Sequence, residues 1–305
     1  MYEAIERNVR GSWVLFAAFV LVVAALGYVF GELVEFGYVG GALAAVLAAL
    51  GAWASYYHSD RLVLAVSGAR EASRDRYPHL YNTVEGLAIA AGIPTPRLYL
   101  IEDTAPNAFA TGRDPEHAVI VVTTGLMDKL DRLELEGVIA HEMAHIQNYD
   151  IRLATLAAVL VGTVALMSDW LLRSLRFGRR RGGREGSGLV VLLGLVLALL
   201  APLAAQLLRL AISRRREFLA DASGAMLTRY PEGLASALEK IAADPEPLEA
   251  ANKATAHLYI INPLREWGGV TNALFNTHPP VEERVRRLRE MTFEGRESMP
   301  PARRE

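Results

Sequence analysis

Residues 141–150 read HEMAHIQNYD, and the fold turns on whether this stretch is a helix that carries a metal site. On a helix, positions i and i+4 lie about 40° apart, so His141 and His145 project from one face and reach a single ion together. Glu142, next to His141, stands over the same ion. The bland reading of the same letters is a pair of helix-surface histidines beside a solvated glutamate.

A catalytic zinc site takes three protein ligands and leaves a fourth position to water, so a second ligand-bearing helix is expected downstream. RRREFLADASGAMLTRY, residues 214–230, supplies Glu217 and Asp221, again four apart and on one face. One carboxylate can bind metal while the other receives the free N–H of a ligand histidine. In isolation such a pair is an ordinary solvated helix face. Its setting raises its weight, because the histidine pair ends just before Leu153 and the carboxylate pair begins just after Leu208, at the two ends of an apolar stretch.

With 52% hydrophobic residues and a mean hydropathy of +0.20, the 305-residue chain is too apolar for a soluble globule. Gly11–Gly31 and Phe36–Tyr57 hold no charged residue, and each is long enough to cross a hydrocarbon core of about 30 Å. Leu153–Ser168 and Gly186–Leu208 are also free of charge, although Asp169 and Arg173 trim the first of these. Because a second span follows the first so soon, residues 1–58 read as an uncleaved transmembrane hairpin rather than a signal peptide. Residues 59–151 then form the first part of a catalytic domain, 152–212 a second apolar hairpin, and 213–305 the second part of that domain.

Cysteine is absent, which excludes disulfides and thiolate metal sites. A net charge of -2 gives no footprint for nucleic acid. Nine arginines near span ends (7, 10, 61, 70, 152, 209, 214, 215 and 216), set against none in the 32–35 loop, place the larger domain in the cytoplasm. RSLRFGRRRGGREG, residues 173–186, opposes this, since a fully crossing second hairpin would put its six arginines outside. A Gly/Arg linker is the preferred account of it, ahead of a contact with anionic lipid.

Between the hairpins, PRLYLIED (96–103), NAFATG (107–112) and HAVIVVTTGL (117–126) read as strands, the last two joined in a hairpin by residues 112–116. Helices are expected over 74–91 and 131–149, over 214–230, and from THPP to about Met291.

Taken together and in order, PNAFATG (106–112), HEMAHIQNYD (141–150), REFLAD (216–221) and THPPVEERV (277–285) resemble the HtpX-type membrane zinc endopeptidases, relatives of the CAAX prenyl endopeptidases. The resemblance implies a mainly α fold with a small β-sheet, an α+β gluzincin-like core, integral in the membrane through two helical hairpins. It implies one Zn²⁺ per chain held by His141, His145 and Glu217, with Glu142 as general base and then acid, and Asp221 behind a ligand histidine. By the same analogy His278 and Arg284 hydrogen-bond the substrate or the developing oxyanion. Their plain alternative is a turn histidine and one arginine of a basic face. Asn107, Ala108 and Phe109 match an edge strand to which an extended peptide adds, while Phe109 is equally readable as core. Asn148 and Asp150 fit both the family pattern and helix capping. His58, His79, His117 and His257 are assigned to no metal.

The expected protein is a zinc metalloendopeptidase of the plasma membrane, multi-pass, with a cytoplasmic catalytic domain. Its partners would be the lipid bilayer and membrane-protein or unfolded polypeptide substrates, in quality control and stress response, with processing of one precursor as the second choice. A metal permease would carry its ligands within a span, whereas LELEGVIAHEMAHIQNYDIR (133–152) reads as amphipathic and charged at both ends. The same feature disfavours an intramembrane-cleaving protease. An inactive scaffold is disfavoured because every residue that catalysis needs is present.

Overall fold

The structure, a computed structural model, describes residues 57–158, 214–252, 255–263 and 278–297, with scattered positions between 6 and 54. The four apolar runs lie largely, and the arginine-rich stretch 173–186 wholly, outside the described residues, as does the boundary expected at 212. Among the described residues no helix is long and apolar enough to cross a membrane.

Helix α1 (Ser59–Val66) leads to the two-residue strand β1 (Arg70–Glu71), which the sequence reading did not include. Helix α2 (Pro78–Ala91) begins four residues later than expected. Pro78 supplies a preset first helical position but drives Tyr77 out of the helical region, so residues before it turn back onto the Ser73 carbonyl instead. The helix stops at Gly92, whose φ of 68° is the left-handed cap.

Strands β2 (Arg97–Ile101), β3 (Ala108–Thr111) and β4 (Val119–Thr123) fall inside the three predicted stretches. The third is shorter than predicted because Thr123 accepts a bond from the Leu126 N–H through its hydroxyl, and the chain turns there into helix α3 (Thr124–Lys129). Helices α4 (Arg132–Gln147), α5 (Arg214–Thr228), α6 (Pro231–Ala243) and α7 (Val281–Glu297) complete the labelled elements.

The sheet order is β1-β2-β4-β3. β2 and β4 run parallel, with Tyr99 opposite Val121, while β3 is antiparallel to β4, with Phe109 opposite Val121. Side chains alternate across this sheet. Leu98, Leu100, Ala108, Ala110, Ile120 and Val122 join the core under α2, α4, α6 and α7. Ile101, Phe109, Val119 and Val121 join a second core with Val63 and Leu64 of α1 and with Leu258 and Tyr259. The fold is thus mainly helical with a small sheet, and β3, its buried edge strand, lies against α4.

Candidate metal and catalytic site

Helix α4 carries the site and is more deeply set than its sequence suggested. Asp131 and Glu134 form a reciprocal capping box at its start. From Gly137 to Ala144 every residue is buried. The amphipathic reading is corrected here: α2, α5, α6 and β3 all pack on α4, so no solvated face remains through its middle. A β-carbon at Gly224 of α5 would sit 2.9 Å from the His141 amide nitrogen, and one at Gly137 would sit 2.6 Å from the Leu234 nitrogen. Both contacts exist only because a side chain is missing.

This close crossing brings three expected ligands together. The Nε2 atoms of His141 and His145 are 3.1 Å apart. Glu217 Oε1 lies 3.5 Å from His145 Nε2, and Glu217 Oε2 lies 3.8 Å from His141 Nε2. Each imidazole is held from behind by its own carboxylate. His141 Nδ1 is 2.9 Å from Asp221 Oδ1, and His145 Nδ1 is 3.1 Å from Asp150 Oδ2. A histidine donating Nδ1–H to a carboxylate leaves its Nε2 lone pair facing the centre, the arrangement of metal-binding histidines.

Asp150 reaches this position through an unusual backbone. α4 ends at Gln147, and Tyr149 takes φ = 59°, rare for a residue with a side chain, before the chain becomes helical again over 150–158. That turn aims Asp150 back at His145.

Arg284 of α7 donates from Nε and Nη2 to the two oxygens of Asp221, at 2.9 and 2.7 Å, and from Nη1 to the Ile260 carbonyl at 2.9 Å. It is 1% exposed. In the structure the guanidinium is committed to Asp221 and to the chain at Ile260. His278 is placed differently. It lines the same cleft as His141, Glu142 and Glu217, and both of its ring nitrogens are buried without a hydrogen-bond partner. Its Nδ1 comes within 3.0 Å of Glu217 Oε2, out of hydrogen-bond alignment.

Glu142 is 2% exposed, receives the Ala110 backbone N–H, and has its Oε1 buried with no partner. Burial pushes its carboxyl up to about 7, where it is poised to exchange protons near neutrality. Burial lowers His141 to about 4. For His145, burial works downward, but the bond to Asp150 and the charges of Glu217, Asp150 and Glu142 outweigh it and raise the ring to about 9.

These residues fit a divalent ion on two grounds. The ligand atoms of His141, His145 and Glu217 all lie within 4.8 Å of one another. Atoms around a tetrahedral zinc at 2.0–2.1 Å would be about 3.4 Å apart, close to the 3.1, 3.5 and 3.8 Å found. Charge gives the second ground. The buried carboxylates Glu142, Asp150, Glu217 and Asp221 face two buried guanidiniums, Arg216 and Arg284. With both imidazoles deprotonated and all four carboxylates ionised, the state that a bound metal ion would enforce, two negative charges are left over, the charge of one divalent cation. A second acidic group, Asp114, Glu116 and His117, is explained by its turn, where Asp114 accepts the His117 N–H at 2.8 Å.

β3 is an edge strand, as expected, but its margin is partly taken. The Ala108 carbonyl accepts the Ile260 N–H at 2.9 Å, and Asn107 Nδ2 donates to the Ile261 carbonyl at 3.0 Å. Phe109 is wholly buried and meets Tyr259 edge-on at 4.9 Å, so its core reading holds.

The sequence reading missed Asn8, left Asp150 open between the family pattern and a helix cap, and used Arg216 only as one of the arginines at span ends and in the REFLAD motif. Asp150 had a faint signal, an acid just past the histidine helix. Asn8 had none, lying 140 residues from Asn148, whose carbonyl it bonds.

The model of peptidase family M48 matches residues 72–292 of this chain. The chain is similar to the Protease HtpX homolog of Dictyoglomus thermophilum, 51% identical over 290 residues that cover 95% of this chain and 94% of that one. It is similar to the Protease HtpX homolog of Thermoanaerobacter pseudethanolicus, 46% identical over 298 residues, 96% and 98% of the two chains. It also aligns with the crystal structure of S. mikatae Ste24p at 18% identity and a TM-score of 0.48, covering 94% of this chain and 67% of that one.

Proposed function

Since the chain belongs to peptidase family M48 and is a metalloprotease, we propose that it is a zinc endopeptidase, anchored in the plasma membrane with its site at the cytoplasmic face, that cuts misfolded or damaged membrane proteins. The observation that carries the catalytic part is Glu142, a buried carboxylate with one oxygen unpartnered beside the triangle of His141, His145 and Glu217.

In this reading His141, His145 and Glu217 hold the Zn²⁺. When bound, the ion supplies Lewis-acid polarisation of the scissile carbonyl and acidifies water. Glu142 takes the proton of the attacking water and returns it to the leaving amine, a role suited to its raised pKa. Asp221 and Asp150 keep the two imidazoles in one tautomer and orientation. Arg284 holds Asp221 in turn. His278, with its Nδ1 beside Glu217 and its Nε2 unpartnered at the cleft, is placed to hydrogen-bond the substrate.

The charge-free runs at 11–31 and 36–57 and the arginines beside them support the membrane anchoring and orientation. The catalytic reading is tested on the full chain in detergent: chelation should abolish casein cleavage and Zn²⁺ at one equivalent should restore it. The quality-control reading is tested in cells by comparing membrane-protein fragments between wild type and Glu142→Gln. Loss of a single precursor's processing, with no change in other fragments, would favour a dedicated processing enzyme instead.

A further inference from the structure

The described residues 8–14 are helical and lie against the turn that follows α4. Asn8 is 3% exposed and Ser12 is equally buried. Gly11 faces the Leu153 side chain, with a β-carbon there 3.9 Å from Leu153 Cδ2, and the Arg152 guanidinium sits 5.5 Å from the Trp13 ring centre. This segment precedes the residues matched by the family model, which begin at 72.

The Asn8 amide makes three bonds in this contact. Nδ2 donates to Asp150 Oδ1 at 2.7 Å and to the Asn148 carbonyl at 3.0 Å, while Oδ1 accepts from Arg216 Nη1 at 3.2 Å. Both neighbours of the nitrogen are acceptors and the neighbour of the oxygen is a donor, so the orientation of the amide is fixed by its surroundings. The other oxygen of Asp150 faces His145 Nδ1 at 3.1 Å. A carboxylate hinged on one side chain can rotate about its own bond; the 2.7 Å bond from Asn8 is the short, directed contact on Oδ1 that fixes that rotation, with Arg216 Nε further off at 3.7 Å. Arg216 adjoins Glu217 in the chain, so the same amide ties together the turn after α4 and the start of α5.

We propose that Asn8 is a positioning residue for the metal site, setting His145 through Asp150 and so making the N-terminal segment a working part of the catalytic centre. The proposal rests on the reading of His145 as a metal ligand. Partners behind a ligand typically change metal affinity by about ten- to a hundred-fold when removed. Asn8 stands one bond further out, so an effect near the lower end of that range is expected.

The test uses the full chain in detergent and measures Zn²⁺ affinity by competition with a chromophoric chelator. Asn8→Ala should weaken Zn²⁺ binding about ten-fold. Asn8→Asp, equal in size but without the N–H that Asp150 accepts, should weaken it at least as much and serves if the alanine variant does not fold. In an Asp150→Asn background, Asn8→Ala should add less than two-fold, because the path it acts through is already cut. Wild-type affinity in Asn8→Ala and Asn8→Asp, or a full ten-fold effect persisting beside Asp150→Asn, overturns the proposal. His145→Ala separates the two levels. If it binds Zn²⁺ like wild type, the ligand reading falls and this proposal with it. If it loses Zn²⁺ while the Asn8 variants do not, the proposal alone falls.

Discussion

Gly224 of α5 lies so near His141 of α4 that a β-carbon on it would stand 2.9 Å from the His141 amide nitrogen and 3.1 Å from the Ala140 carbonyl carbon. Both are backbone atoms of a buried helix, and neither can swing away. Gly224→Ala should therefore push apart the helices that bring Glu217 to the two histidines, costing about 1–3 kcal/mol of stability and lowering Zn²⁺ content. Gly86→Ala is the matched control, since nothing lies within 4 Å of a β-carbon there; it should gain about 0.5–1 kcal/mol from helix propensity. Thermal unfolding and metal analysis of the two variants decide the matter.

Glu142→Gln should keep nearly stoichiometric Zn²⁺ and lose casein cleavage by at least about 10²–10⁴-fold, because the amide cannot accept the proton that a carboxylate near 7 can. Unchanged cleavage would remove Glu142 from the mechanism.

Arg284→Met should destabilise the fold by about 3–5 kcal/mol, since it leaves Asp221 buried without its countercharge. The double variant Arg284→Met/Asp221→Leu should recover part of that stability yet still bind Zn²⁺ weakly, as His141 then lacks its carboxylate. Equal Zn²⁺ affinity in wild type and double variant would show that Asp221 does not orient His141.

Glu134 gives a pH signature remote from the metal. Burial alone would raise its carboxyl, but the bonds from Lys240, Ser236 and the Asp131 backbone outweigh burial and hold it below its ordinary value. A depressed folded value means that the contribution is complete above the unfolded pKa of about 4.3 and is lost as pH falls through the folded one. Glu134→Gln should accordingly lose about 1–3 kcal/mol at neutral pH. Its deficit against wild type should shrink in acid, below about pH 4. Denaturation curves across that range test the sign.

A cysteine at the exposed Ser73 of this cysteine-free chain should resist an impermeant thiol reagent in intact cells and react once the membrane is opened. Cysteines at Ser174 and Ser187 report separately on the arginine-rich stretch. Labelling of Ser73→Cys from outside would reverse the orientation.

Where a chemical requirement repeats at a fixed spacing, the sequence was legible. His141 with His145, and Glu217 with Asp221, each follow from i and i+4 on one helix, and the short apolar runs within 97–101 and 119–123, bounded by turn residues, announce strands. What the letters hid is what depends on partners far away. β2 and β4 pair in parallel across the whole β3 excursion, and α4 is buried around its circumference by elements that contribute nothing to its own periodicity. Without the family resemblance Arg284 reads as one more arginine on a basic face, because only its distance to Asp221 separates it from Arg286 and Arg287, which pair with glutamates on their own helix. Asn8 carries no local pattern at all.

The partly taken margin of β3 bears on what could ever lie there. Ile260 already occupies the Ala108 carbonyl, so an incoming extended chain would trade bonds with a resident rather than dock on bare backbone. Each backbone bond is worth only about 0.5–1.5 kcal/mol net, and an exchange returns a fraction of that. A guest whose own amides are already satisfied in a helix or sheet would have to surrender them for almost no return, while a chain that has lost its fold arrives with nothing to give up. If substrate binds there, the margin would filter visitors by their conformational state and be nearly indifferent to their side chains.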